Sequence, residues 1–241
     1  MAEGIVTYGQ RVPADPALAA RQHEAYVGAL ADAGWAIREV PPADKLPDSA
    51  FVEDTVVVCG ELALLARPGA PERRAEVAGS AEAVRALGLE VERIEEPGTL
   101  DGGDVLRVDT TLYVGRGRRT NAAGIRQLDD FAEPRGFTVV AVPLNHVLHL
   151  KSAITALPDG SVIVADPSAL DTSALPPLRT VPEEAGSHVV PIGGNSVLMA
   201  ASALRSAELF ADWGFDPVVV DIGEFEKLEG CVTCLTVLIT T

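Results

Sequence analysis

The residues best suited to chemistry gather near the end of the sequence, where Cys231 and Cys234 lie three apart in the stretch from Lys227 to Thr236. Two thiols at that spacing fit half of a zinc site, a thiol redox centre, or one nucleophile with a bystander. Each reading needs different companions. A structural zinc needs four ligands, yet there is no second Cys-x-x-Cys, and the only closely spaced histidines are His146 and His149. A thioredoxin-like centre sits at a helix N-terminus, where the helix dipole lowers the thiol pKa. Here the pair runs instead into the strand-like Val237, Leu238 and Ile239. A lone nucleophile needs a general acid or base, and His149, on the same alternation as Lys151, is the strongest candidate. His23, His146 and His188 have no comparable setting.

A second group is acidic. The run from Phe51 to Cys59 is apolar on both alternations except at Glu53 and Asp54, and it reads as a strand buried on both faces. Each acid would cost several kcal/mol if buried there without a partner. Arg73 offers one, because it precedes Val77 by four residues and shares the inward stripe of the next helix. Carboxylates beside a thiol raise its pKa and blunt it. The combination makes sense when the substrate is a cation that the acids clamp and whose charge favours the thiolate.

Composition bounds the setting. With 241 residues, 47% hydrophobic and 22% charged, the chain is expected to fold around a sizeable core as one domain, residues 1–241. A formal charge of −16 argues against a nucleic-acid partner and suits a small cationic one. No apolar run approaches the roughly 20 residues of a membrane-spanning helix. Met1 to Gly4 lacks the basic, then apolar, start of a secretory leader, so a cytoplasmic location is expected. Three cysteines do not make a disulfide framework. A homodimer is the expected assembly. The cluster Arg116, Arg118 and Arg119 lacks the spacing and closing Lys-Ser/Thr of a phosphate loop.

The elements that must position these groups recur. Helices are expected from Pro16 to about Ala33, from Pro71 to Gly88, from a Thr120 cap to Gly136 and from a Ser202 cap to Gly214. Strands are expected at 5–8, 35–40, 51–59, 62–66, 91–94, 105–106, 112–114, 138–142, 148–154, 161–164, from about 195, and at 215–220. The stretch 165–182, with four prolines, reads as a short helix and loop. The pattern is a hairpin, a helix and a returning strand, entered near residues 51, 104, 149, 195 and 232. Five such units imply a closed ring whose loops converge at one mouth.

Six motifs then resemble one family. Phe51-Val52-Glu53-Asp54, Arg67 to Pro71, Leu100 to Leu106 around Asp101-Gly102-Gly103-Asp104, Arg119-Thr120-Asn121, His149-Leu150-Lys151-Ser152 and Cys234 follow one another as in the dimethylarginine dimethylaminohydrolases of the guanidino-group-modifying superfamily. The resemblance implies an α/β fold, a five-bladed α/β propeller of pseudo-five-fold ββαβ repeats. It implies hydrolysis of Nω-methylated arginines to citrulline and a methylamine, with no cofactor and no metal. By the same resemblance Cys234 is the nucleophile and Cys231 a bystander, and His149 is the acid that becomes a base. Asp54 and Asp101 would grip the guanidinium with support from Glu53. Asp48 and the carbonyl of Val12 would bind the α-amino group, Arg73 and Arg119 the α-carboxylate, and the backbone at Leu228 and Glu229 would line the substrate. An arginine deiminase-like enzyme and a non-enzymatic propeller interaction protein are the alternatives.

Overall fold

A computed structural model describes residues 4–240; the reading of the leader rests mostly on residues outside it. Helix α1 (Pro16–Asp32) begins as its sequence dictates. Asp15 accepts the N–H groups of Ala17 and Leu18, proline fills the first turn, and Gly34 leaves at φ 93°. Its inner face carries Ala19, Tyr26 and Leu30 into a core with Phe225, Leu228 and Val232. The Tyr26 hydroxyl donates to the carbonyl of Val232 (2.7 Å), tying this helix to the cysteine segment 206 residues later.

Four units of three strands follow. The first has β1 (Val56–Cys59) antiparallel to β2 (Leu62–Leu65), helix α2 (Val77–Ala86) and β3 (Glu90–Arg93) parallel to β2. The second repeats this with β4 (Val105–Val108), β5 (Thr111–Arg116), α3 (Ala122–Ala132) and β6 (Thr138–Pro143). The third has β7 (Ile154–Ala156), β8 (Val162–Val164) and β9 (Leu178–Thr180), and the fourth β10 (Val189–Gly193), β11 (Ser196–Ala200), α4 (Leu204–Asp212) and β12 (Asp216–Val220). Prolines 167, 176 and 177 explain why the third crossover winds no α-helix, since a helix interior loses a hydrogen bond at each one. The remaining unit joins the two ends of the chain. It carries α1, the short α5 (Gly223–Glu226) and no assigned strand among the described residues, so the expected strands at 5–8 and 35–40 are absent. Trp35 instead docks through its indole N–H on the carbonyl of Ile192 (2.8 Å).

The units correspond most plainly in their 3-10 turns. Single 3-10 turns at Val52–Thr55, Gly102–Asp104, Leu150–Ser152, Glu184–Ser187 and Val232–Leu235 stand at corresponding places in the five units. They correct three expectations. Glu53 and Asp54 lie in a turn rather than a strand, which lets both be buried toward different partners. The fourth unit enters at 184 rather than 195, because Gly194 and Asn195 form the hairpin turn between β10 and β11, with Gly193 and Gly194 at φ of 126° and 56°. Cys234 lies in a turn and not on a final strand. Two caps also differ. Asn121, not Thr120, caps α3, and α4 has no side-chain cap at Ser202; Glu183 accepts the N–H groups of Arg205 and Ser206 there instead. No described helix is long and apolar enough to cross a membrane.

Candidate active site

Four of the five entry turns meet around one cavity. From the first, Asp54 is buried, pairs with Arg73, accepts the N–H of Gly103 (2.9 Å) and lies 3.8 Å from Nδ1 of His149. Burial favours the protonated carboxyl, but His149, Arg73 and the Gly103 amide outweigh it and hold Asp54 well below the usual carboxylate range. Arg73 has no idle nitrogen. Nε and one terminal nitrogen bind Glu76 (2.9 and 2.7 Å), the other binds Asp54, and the carbonyls of Asp48 and Phe51 accept at 3.2 Å. Replacing Arg73 by methionine strands two buried carboxylates and is expected to destabilise the fold by about 3 kcal/mol. Urea unfolding monitored by circular dichroism measures it.

The second turn brings Asp101 and Asp104, and its glycines allow the approach. A Cβ at Gly103 would lie 2.6 Å from Asp54 Oδ1 and 2.9 Å from His149 Nδ1, and one at Gly102 would lie 1.9 Å from the Glu53 carbonyl oxygen. Asp101 is fully buried. Its Oδ1 accepts the Gly69 N–H (2.8 Å), while its Oδ2 lies 2.9 Å from His149 Nε2 and 3.3 Å from an Arg119 nitrogen. His149 caps the third turn. Burial favours its neutral ring, but Asp54, the hydrogen bond to Asp101 and the charge of Asp104 prevail and lift it to about 9. Asp104 is itself pushed up to about 7 by burial. Its Oδ1 accepts the Leu150 N–H (2.9 Å), and His149 and the Thr120 hydroxyl partly offset the burial.

The fifth turn carries the thiols. Glu53 reaches it from behind, binding Lys151 Nζ (2.6 Å) and accepting from the hydroxyl of Thr233 (2.9 Å), with burial raising its pKa to about 7. Cys231 is buried and Cys234 half-buried, with their sulfurs 3.2 Å apart. The hydrogen bond with Cys231, burial, and the charges of Glu53 and Asp54 push the Cys234 thiol well above its ordinary range.

The cavity between these turns is small, about 20 Å³, room for one or two waters. Of the residues expected at the site, Asp48, Asp54, Arg73, Arg119, His149, Leu228, Glu229 and Cys234 line it. Glu53 and Asp101 stand behind the wall. Val12 is not among its lining residues and is 46% exposed. Asp48 accepts the Ile5 N–H at both oxygens (3.1 and 3.0 Å), and Glu229, at φ 60°, accepts three consecutive N–H groups, those of Thr7, Tyr8 and Gly9 (2.7, 2.6 and 2.5 Å). These two acids fix the segment 5–9 at the mouth. Ile5, Phe51, Leu148 and Gly230 also line the cavity and were not expected there. Thr233, placed between the two cysteines, was the one missed residue with a visible sequence signal.

Among the described residues one group of side chains is spaced to hold a metal, Asp54, Asp101 and His149, with ligand atoms within 4.8 Å of one another. It includes neither cysteine. The imidazole there is protonated below about 9 and the two acids already meet Arg73 and Arg119, so the cluster is neutralised by its own cations.

The shifted groups set a pH dependence of stability. Glu53 and Asp104 rise from ordinary values of 4.5 and 3.8 to about 7, and His149 rises from 6.5 to about 9. The folded state therefore binds more protons than the unfolded one across that window. The melting temperature is expected to fall as pH rises from about 5 to about 9. Below the ordinary Asp value of 3.8 the unfolded chain protonates this carboxyl while native Asp54 stays ionised, which reverses the slope. Scanning calorimetry at several pH values checks this, and a Tm that climbs from pH 5 to 9 contradicts it.

No protein-family model matches the chain. It is 60% identical over 237 residues to an N(G),N(G)-dimethylarginine dimethylaminohydrolase of Streptomyces coelicolor, covering 98% of this chain and 92% of that one. It is 36% identical to the enzyme of the same name from Pseudomonas aeruginosa, covering 92% and 89%. Among solved structures, a dimethylarginine dimethylaminohydrolase adduct with S-methyl-L-thiocitrulline superposes with a TM-score of 0.90 at 33% identity, over 97% of this chain and 93% of that one. The Pseudomonas aeruginosa enzyme complexed with citrulline gives 0.89 at 33% identity, over 97% and 92%.

Proposed function

The chain belongs to the dimethylarginine dimethylaminohydrolase family, and from that premise and the site's geometry we propose that it hydrolyses Nω-methylated arginines to citrulline and dimethylamine or methylamine. The observation that carries the reading is the meeting of Cys234, the imidazole of His149 and the carboxylate of Asp54 on one cavity wall. The substrate is a cationic arginine derivative. Its guanidinium is delocalised and a poor electrophile, so the site must hold it, polarise it and protonate what leaves.

Asp54 is the carboxylate placed to bind the guanidinium, since it is ionised and lines the cavity. A cation beside Cys234 opposes the surrounding acids and favours the thiolate, whose proton passes to solvent. The sulfur bonds to the guanidinium carbon. His149, held as an imidazolium by Asp101 and Asp54, gives its proton to the departing amine as the carbon–nitrogen bond breaks. The product is an S-alkylthiouronium on Cys234. The now neutral His149 takes a proton from water, the hydroxide adds to the same carbon, and citrulline leaves as the sulfur is freed. Asp101 then acts behind the imidazole rather than on the substrate, because it stands outside the cavity wall and binds Nε2 of His149. Arg119, with most of its nitrogens unengaged among the described residues, suits the α-carboxylate, whereas the bonds of Arg73 suit holding Asp54. Contributions from Asp48 to Cys234 support a single catalytic domain over 1–241.

Incubation with asymmetric dimethylarginine, monomethylarginine and arginine, followed by a citrulline assay, tests the reading. Citrulline is expected from the methylated substrates. Citrulline from arginine alone would point to a deiminase, and none from any guanidine would favour an interaction protein.

A further inference from the structure

Catalysis as described uses one thiol of the Cys-x-x-Cys and leaves Cys231 without a task. Its placement is nevertheless specific. Cys231 is the N-cap of the 3-10 turn Val232–Leu235 and Cys234 its third residue, and the two share a reciprocal cap, with the Cys231 N–H donating to Cys234 Sγ (3.4 Å). A 3-10 turn has three residues per revolution, so side chains three apart eclipse. This brings the sulfurs to 3.2 Å, about 1 Å more than a covalent S–S bond needs. Tyr26 and Glu53 hold the turn through Val232 and Thr233, and Cys231 is held further by Thr233 Oγ1 at 3.3 Å. Only Cys234 faces the cavity; Cys231 is buried behind it, and Cys59 lies in a separate core cluster with Val57 and Leu64.

We propose that Cys231 and Cys234 form a peroxide-oxidisable dithiol in which Cys231 resolves the oxidised nucleophile, switching the enzyme off reversibly. The proposal rests on Cys234 being the working thiol. In the first step the Cys234 sulfur attacks one oxygen of a hydroperoxide, the O–O bond breaks, and a sulfenic acid and one water (or alcohol) result. In the second the Cys231 sulfur attacks the Cys234 sulfur, the S–O bond breaks and a second water leaves. Two electrons pass from the two thiols to the peroxide. The disulfide removes the nucleophile and protects it from irreversible oxidation to the sulfinic acid. A dithiol reductant returns both thiols by exchange.

The test treats the full chain with hydrogen peroxide and follows intact mass, peptide mapping and citrulline formation together. The expected product has lost two hydrogens, maps to a Cys231–Cys234 linkage, has no turnover, and regains both mass and turnover with dithiothreitol. Under the same treatment Cys231→Ser is expected to gain two oxygens on Cys234 and to stay inactive after reduction. A wild-type chain that gains oxygens on Cys234 without forming the linkage overturns the proposal, as does a linkage that leaves turnover intact. The mass readout needs no catalysis. Failure of the linkage is therefore distinct from failure of the hydrolase reading, which the citrulline assay on reduced protein reports.

Discussion

Replacing Cys234 by serine is expected to lower citrulline formation from asymmetric dimethylarginine by about 10⁴-fold or more, whereas Cys231→Ser keeps most of the reduced enzyme's turnover. The asymmetry follows from geometry. Both sulfurs sit on one turn, yet only Cys234 lines the cavity with Asp54 and His149, and Cys231 is 6% exposed behind it. A serine hydroxyl ionises far less readily than a thiol, and a bound cation that favours a thiolate is insufficient to make an alkoxide at neutral pH. Steady-state kinetics under reducing conditions measure the effect. Equal loss in the two variants would mean that the thiols act as a unit, returning the pair to a metal or redox reading.

His149→Asn is expected to lose about 10³-fold in turnover and to collect a covalent adduct on Cys234. Two steps draw on the ring, proton donation to the amine and proton abstraction from water. A leaving group that departs as a protonated amine tolerates loss of the first better than attack by neutral water tolerates loss of the second. The adduct therefore forms faster than it decays, and intact mass spectrometry after incubation with substrate would show it. A variant that turns over slowly with no adduct would place the imidazole in the first step alone. In the wild type, turnover is expected to fall as pH rises past about 9, where the imidazolium held by Asp54 and Asp101 loses its proton.

Residue type and order made much of the site legible, because the chemistry needs particular groups. Asp54, Arg119, His149 and Cys234 lie on one wall, as the motif order implies. What alternation does not separate is a short apolar strand from an apolar 3-10 turn followed by a shorter strand. Phe51 to Cys59 looks uniform by pattern, yet the chain winds once at Val52–Thr55 before extending. Strand β9 was hidden among prolines, whose turn signal overrode three residues of pairing with β8. The fourth entry, expected near residue 195, falls instead on a hairpin because glycine serves both a positive-φ turn, as at Gly194, and a close backbone approach, as at Gly102 and Gly103. Contacts such as Glu229 on the amides of Thr7 to Gly9 join residues some 220 apart, with no local signature at either end.

The repeated entry turns have a consequence for how activity reports on the molecule. Asp54, Asp101, His149 and Cys234 come from turns heading four different units, and none of these units holds a complete set. A proteolytic fragment or a partly melted state that keeps several sheets intact still lacks one side of the cavity. Catalysis is then an all-or-none property of the assembled chain. Its loss on heating serves as a gauge of the first unit to come loose, ahead of any signal that averages over secondary structure.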